Sequence, residues 1–113
     1  MHEMSLCEGI IQILEEQAKT QNFQRVKTVW LEIGALAGVE ISALEFSYDV
    51  ISRGTIADSS ELKIIHLAAT AECAGCKQTV NIDQRYLPCP NCGDYQLQIT
   101  GGEQMRIKEL EVE

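Results

Sequence analysis

Two Cys-x-x-Cys pairs, Cys73-Ala-Gly-Cys76 and Cys89-Pro-Asn-Cys92, stand twelve residues apart and constrain this chain more than any other feature. Each pair lets two thiolates converge on one ion from a tight turn, and two such turns supply the four sulfurs of a tetrahedral zinc site. With thiolate at all four positions no coordination site stays open for water or substrate, so the expected zinc is structural. The same ligands suit a rubredoxin-like iron site. A single Cys-x-x-Cys also suits thioredoxin-type redox chemistry, but that chemistry needs neither the second pair nor its spacing. Gly75 and Gly93, beside the second cysteine of each pair, are the expected positions of positive φ. Pro88 and Pro90 flank Cys89 and stiffen its turn.

The cysteine module spans residues 68–102, leaving 1–67 and 103–113 to form one small domain around it. A chain of 113 residues has room for one modest core, and a domain of this size gains from a metal staple. Nine basic residues against 17 acidic ones give a net charge of −8, a surface that repels polyanions. The module itself holds only Lys77 and Arg85 against Glu72, Asp83 and Asp94, with Tyr86 and Tyr95 its only aromatics, so nucleic acid is not an expected partner. The first twenty residues carry Glu3, Glu8, Glu15 and Glu16, unlike a secretory signal, and no stretch is long enough to span a membrane. The expected location is cytoplasmic, where reduced thiols are available to metal and Cys7 needs no disulfide partner.

The fold class expected is α+β: a small three-stranded sheet with two helices, plus the inserted four-cysteine ribbon. Ser5 and Glu8 form a capping-box pattern ahead of Leu6, Ile10, Ile13, Leu14 and Ala18, predicting a helix over 5–20 with residues 1–4 as a free arm. Cys7 is expected in the core. Residues 26–34, rich in β-branched and aromatic types, predict a strand. Ser42 with Glu45, then Leu44, Phe46, Tyr48, Val50 and Ile51, predict a second helix over 42–53 with Gly54 at C′. Residues 61–67 alternate as a strand in which His66 is expected to be half-buried, and 105–112 form a third strand whose apolar phase shifts between Ile107 and Leu110, so a bulge or a loss of pairing is expected there. No nucleophile motif and no phosphate-cradling glycine loop occurs, so no hydrolase or transferase is expected.

The start of the chain offers a second metal site. The Met1 amine, the His2 amide once deprotonated and the His2 imidazole close fused five- and six-membered chelate rings, and such planar nitrogen donation suits Ni(II) or Cu(II). Glu3 can complete the set through its amide or carboxylate. A bulky residue at position two protects the initiator methionine from removal, which keeps the amine in register with the imidazole. By itself a histidine at this position is an ordinary solvated tail residue.

Three stretches carry a resemblance: Met1-His2-Glu3-Met4-Ser5-Leu6-Cys7, then Trp30-Leu31-Glu32-Ile33-Gly34-Ala35-Leu36 continuing to Val39-Glu40, and the two cysteine knuckles. Together with the terminal Ile107-Lys108-Glu109-Leu110-Glu111-Val112-Glu113 they resemble the HypA/HybF family of hydrogenase maturation nickel chaperones over the whole chain. The resemblance implies that Met1, His2 and Glu3 hold Ni(II) destined for a [NiFe] hydrogenase while Cys73, Cys76, Cys89 and Cys92 hold structural Zn(II). It also implies a HypB-type GTPase and the hydrogenase large subunit as partners, urease maturation in some relatives, and no catalytic activity. Relatives can recruit a further nickel histidine from the zinc module, and this module has none. The alternative is a zinc-ribbon adaptor that only docks two proteins.

Overall fold

The computed structural model describes residues 2–113. Its elements run α1 (His2–Gln21), β1 (Val26–Gly34), α2 (Ile41–Ile51), β2 (Glu61–Leu67), β3 (Ala69–Cys73), β4 (Thr79–Ile82), β5 (Leu97–Gly101) and β6 (Met105–Val112). The strands form two three-stranded sheets, ordered β2-β1-β6 and β4-β3-β5. The two helices, the first sheet and the inserted ribbon are the expected α+β architecture, to which the structure adds a sheet within the ribbon. Two compact units result, one comprising residues 1–31, 39–64 and 107–113, the other 32–38 and 65–106.

In the first unit α1 buries Cys7, Ile10, Ile11 and Leu14, and α2 buries Leu44, Ser47 and Tyr48. The predicted stripes need correction at three positions. Ile11 takes the core place expected for Ile13, which is 48% exposed, and on α2 Phe46 and Val50 point outward. Cys7 is fully buried as expected, its Sγ 3.5 Å from the carbonyl oxygen of Leu44. Tyr48 closes the far side of this core, its hydroxyl 2.6 Å from Ser60 Oγ, so burial of the ring leaves no unpaired polar atom.

Both helix starts differ from the capping-box reading. α1 is already helical at His2, three residues before Ser5, so the free arm expected over residues 2–4 does not exist. Glu3 sits in the first turn, where a carboxylate favours the positive end of the helix, and its Oε2 accepts from the backbone N–H of Glu40 at 3.3 Å. Glu40 in turn is the N-cap of α2, one residue before Ile41, in place of Ser42: its Oε1 accepts from the Ser42 amide and hydroxyl at 3.2 and 2.6 Å. Those two bonds, the hydroxyl's first, hold the Glu40 carboxyl below its ordinary pKa. At the other end Ser52 is the C-cap, which puts Gly54 (φ +76°) one place beyond the predicted C′ position.

β1 and β6 run antiparallel, with Arg25 and Glu113 exchanging both backbone bonds at one end. β6 shows the predicted change of phase: Met105 and Ile107 are half-buried, Lys108 and Glu109 are both exposed, and Leu110 is half-buried again. Across the pair Glu32 meets Arg106 and Thr28 meets Glu111. On β2 His66 is exposed, not half-buried, because the strand's alternation breaks at the adjacent half-buried pair Ile64 and Ile65.

In the second unit β3 lies between β4 and β5 and is antiparallel to both, with a bulge at Thr70/Ala71 against β5. Ala69, Ala71 and Cys73 form its buried face. That face is built from small side chains because backbones close in on it: a Cβ on Gly102 (φ +97°) would collide with Ala69.

Candidate metal centre

The first knuckle is the turn between β3 and β4, the second the loop leading into β5, and β3 pairs with both strands, so the sheet draws the two knuckles together. Lys77 N–H donates to the carbonyl of Cys73 at 2.8 Å, and Gly93 N–H donates to that of Cys89 at 2.8 Å, the same turn twice. The positive φ each turn requires falls on the residue after the second cysteine, Lys77 (56°) and Gly93 (81°). Gly93 therefore acts as expected, whereas Gly75 does not: its φ is ordinary, and it is glycine because any Cβ would strike the Asp94 carboxylate. Asp94 also caps the second knuckle, its carbonyl accepting from Cys89 N–H at 2.7 Å and its Oδ1 from Gln96 N–H at 3.0 Å.

The four sulfurs of Cys73, Cys76, Cys89 and Cys92 lie within 4.8 Å of one another. Two edges are given by Cys73 Sγ–Cys92 Sγ at 3.5 Å and Cys76 Sγ–Cys89 Sγ at 3.9 Å. A tetrahedron of thiolates with metal–sulfur bonds of about 2.3 Å has edges of about 3.8 Å, whereas a disulfide would close to about 2.0 Å. The geometry fits a tetrahedral metal ion, and all four cysteines are free. Asn91 supports two of the ligands, its backbone N–H donating to Cys89 Sγ at 3.4 Å and its Nδ2 to Cys76 Sγ at 3.5 Å. No sequence signal marked Asn91 as part of the site; its place between Pro90 and Cys92 inside the knuckle is what could have found it.

The electrostatics of the four sulfurs call for a cation. The Asn91 side chain, then the Gln78 backbone, lower the Cys76 thiol to about 7, and the backbone of Cys92 lowers Cys89. At Cys92 the Asp94 amide favours the thiolate, but the other three cysteines and burial outweigh it and push the thiol up to about 12. Four thiolates at this separation repel one another too strongly to ionise together unless a metal ion neutralises them. Cys7, far from this set in sequence and fully buried, is raised to about 11 by burial first and by the nearby Glu3 second, and behaves as an inert core thiol.

His2 is exposed at the first position of α1, and Glu3 beside it is half-buried. Met1, the remaining member of the expected nickel set, lies outside the described residues. Because the first four N–H groups of a helix have no acceptor within it, the amides of His2 and Glu3 are not committed to the helical ladder. His66 is exposed on β2 and is not among the described residues that group as a metal site.

Two helices on a small sheet, with an inserted four-thiolate ribbon, define a small metal-binding α+β protein. The family model described as hydrogenase/urease nickel incorporation, metallochaperone, HypA matches residues 1–112. The hydrogenase maturation factors HypA of Azotobacter chroococcum and Alkalilimnicola ehrlichii are each 55% identical to this chain over 113 residues, the full length of both partners in each comparison. The solution structure of the Ni metallochaperone HypA from Helicobacter pylori shares the fold, with a TM-score of 0.67 at 23% identity over 97% of this chain and 96% of that one. A second solution structure of a HypA protein gives 0.71 at 24% identity over 99% and 96%. The chain belongs to the HypA family of nickel metallochaperones in hydrogenase maturation. Among the described residues no helix is long and apolar enough to cross a membrane.

Proposed function

We propose that this chain carries Ni(II) on Met1, His2 and Glu3 and delivers it during maturation of a [NiFe] hydrogenase, while Cys73, Cys76, Cys89 and Cys92 hold a structural Zn(II). The family match over residues 1–112 carries the reading. His2 is exposed at the first position of α1, open to a recipient protein. A helix start is the positive end of the dipole and a poor place for a bare cation, so nickel there must be held by strong chelation from a neutral imidazole, a neutral amine and a deprotonated amide. The Glu3 carboxylate already accepts from Glu40 N–H, which leaves the Glu3 amide as its freer donor and ties the start of α1 to that of α2. An exposed site with few protein ligands suits cargo, because a recipient can add its own ligands and withdraw the ion.

The zinc centre has the opposite character: four protein ligands, Cys73 and Cys89 buried, and donors fixed to the sulfurs. Zinc supplies no chemistry there beyond cross-linking the two knuckles and neutralising their charge. The protein acts as a carrier and not as a catalyst. A HypB-type GTPase and the hydrogenase large subunit are the proposed partners, neither nucleic acid nor membrane is, and the proposed location is the cytoplasm. The exposed α1 face of Gln12, Glu15, Glu16 and Lys19, next to the nickel site in sequence, is the proposed docking face for the GTPase. Metal analysis of untagged protein tests the assignment: zinc should co-purify stoichiometrically, and one added nickel should bind without displacing it. Zinc alone, with nickel bound no more tightly than by an unrelated protein, would favour the adaptor reading.

A further inference from the structure

The ribbon's sheet has one apolar face. Ala69 lies opposite Ile82, Ala71 opposite both Val80 and Ile99, and Cys73 opposite Leu97, and residues opposite one another in antiparallel strands point the same way. A middle row of small, buried side chains is therefore flanked by larger ones. Ile82, Leu97 and Ile99 stay half-buried, and with Tyr86, Leu87 and Tyr95 from either side of the second knuckle they line a groove of about 120 Å³. That is room for a side chain and not for a whole small molecule.

The rim of this groove is out of keeping with a folding role. Tyr86 is 93% exposed and Tyr95 71%, so the rings add little buried area to the ribbon. Tyr86 also holds φ at +67°, a left-handed conformation that strains a bulky residue where glycine would not be strained. Backbone strain and a solvent-exposed aromatic ring at one residue mark a position kept for binding.

The chemistry of the groove selects its occupant. Aromatic faces attract cations, and the fold already contains one such contact, with Lys63 Nζ 5.5 Å from the centre of the Trp30 ring. Within residues 68–102 two cations stand against three anions, and a zinc ion held by four thiolates adds further negative charge. Arg85, the cation that lines the groove, is bonded to Glu103 at 2.6 Å and is not loose to repel another. An arginine suits the site better than a lysine, because its guanidinium is planar, stacks on aromatic faces and is more weakly hydrated, while its stem lies along apolar surface.

From this we infer that the groove takes an arginine side chain from an extended, basic segment of a partner protein, with the guanidinium on the faces of Tyr86 and Tyr95 and the stem against Ile82, Leu97 and Ile99. This surface belongs to the second compact unit, whereas the α1 face proposed for the GTPase belongs to the first.

An NMR titration of full-length, zinc-loaded, isotope-labelled protein tests this, with a capped five-residue peptide holding arginine between two leucines as the probe. Saturable shifts should fall on Tyr86, Tyr95 and Leu97, with a dissociation constant on the order of 1 mM, and ring currents should move the arginine side-chain protons upfield. The lysine peptide should bind roughly threefold more weakly, and the citrulline peptide, of the same shape without charge, roughly tenfold. Tyr86→Ala/Tyr95→Ala leaves the net charge unchanged and should abolish the saturable binding, whereas Tyr86→Phe/Tyr95→Phe should bind as wild type does. Tyr86→Gly should lose binding while keeping zinc and thermal stability. Shifts spread over the acidic surface with none at the groove, equal affinity for the arginine and citrulline peptides, or a double alanine variant that binds normally would each overturn the proposal. So would tighter binding of a single-stranded oligonucleotide at the same tyrosines, or groove shifts that follow protein concentration alone. Where an alanine variant loses zinc, the citrulline peptide on wild type decides.

Discussion

Asn91→Ala removes one donor from the four-thiolate centre and leaves its ligands in place. The Asn91 side chain is the foremost reason that the Cys76 thiol stands at about 7 and not at its ordinary 9.0. A metal must displace the proton of each thiol it takes, so a higher thiol pKa weakens apparent binding below that pKa. If the whole difference returned, the proton's competition at pH 7 would grow by about 50-fold. The Gln78 backbone bond persists in the variant, so a loss on the order of tenfold is expected, in line with the roughly 10- to 100-fold cost of removing outer-shell partners at metal sites. The direction with pH follows: Cys76 is lowered in the wild type, so its advantage is full below pH 7 and shrinks as pH rises from 7 through 9, where both proteins become ionised. Zinc competition against a chelator at pH 7 and at pH 9 measures this, with circular dichroism confirming unchanged structure. Equal zinc affinity at pH 7, or a deficit that persists undiminished at pH 9, would refute the reasoning.

Cys89→Ser should release zinc and unfold residues 68–102 while the helical signal of α1 and α2 persists, checked by metal analysis and NMR dispersion; the buried face there is only Ala69, Ala71, Cys73 and Cys89, too little to hold the ribbon without metal. Leu14→Ala, at a position with no exposure, should cost about 2–5 kcal/mol in urea denaturation followed by helical dichroism. Cys7 has a folded pKa of about 11, above its ordinary 9.0, so its contribution to stability is complete below pH 9 and is lost as pH rises from 9 through 11. A Cys7→Ala variant should therefore lose less stability than wild type over that interval, and alkylation of Cys7 in the folded protein should lag behind that of a free thiol.

The knuckles, β1, β2 and β6 were legible because their signals are local: ligand spacing, β-branched runs and alternation. The phase shift in β6 was legible for the same reason, being written in the order of Ile107, Lys108, Glu109 and Leu110. What the sequence concealed rests on contacts between distant residues. The start of α1 was misread because Ser5 and Glu8 mimic a capping box, while the helix is extended back to His2 with Glu3 anchored on Glu40, thirty-seven positions away. Ser42 misled in the same manner, since it donates to the true cap, Glu40. Gly75 looked like a turn glycine and is instead a clearance for Asp94. The sheet of the ribbon is hard to read because its strands are of only four and five residues, and the central one, β3, buries only the small side chains of Ala69, Ala71 and Cys73. Of the proposed nickel set, His2 is conspicuous only beside the cysteine knuckles, because one exposed histidine has no geometry of its own.

Nickel calorimetry on untagged wild type, His2→Ala and a form carrying an amino-terminal extension tests the central claim most directly. The fused chelate needs the Met1 amine and the His2 imidazole together, so the account predicts one high-affinity nickel site in wild type and its loss in both other proteins, with zinc content and helical signal unchanged. Equal nickel affinity in all three proteins would contradict the account and place the cargo elsewhere, at His66 or the cysteines.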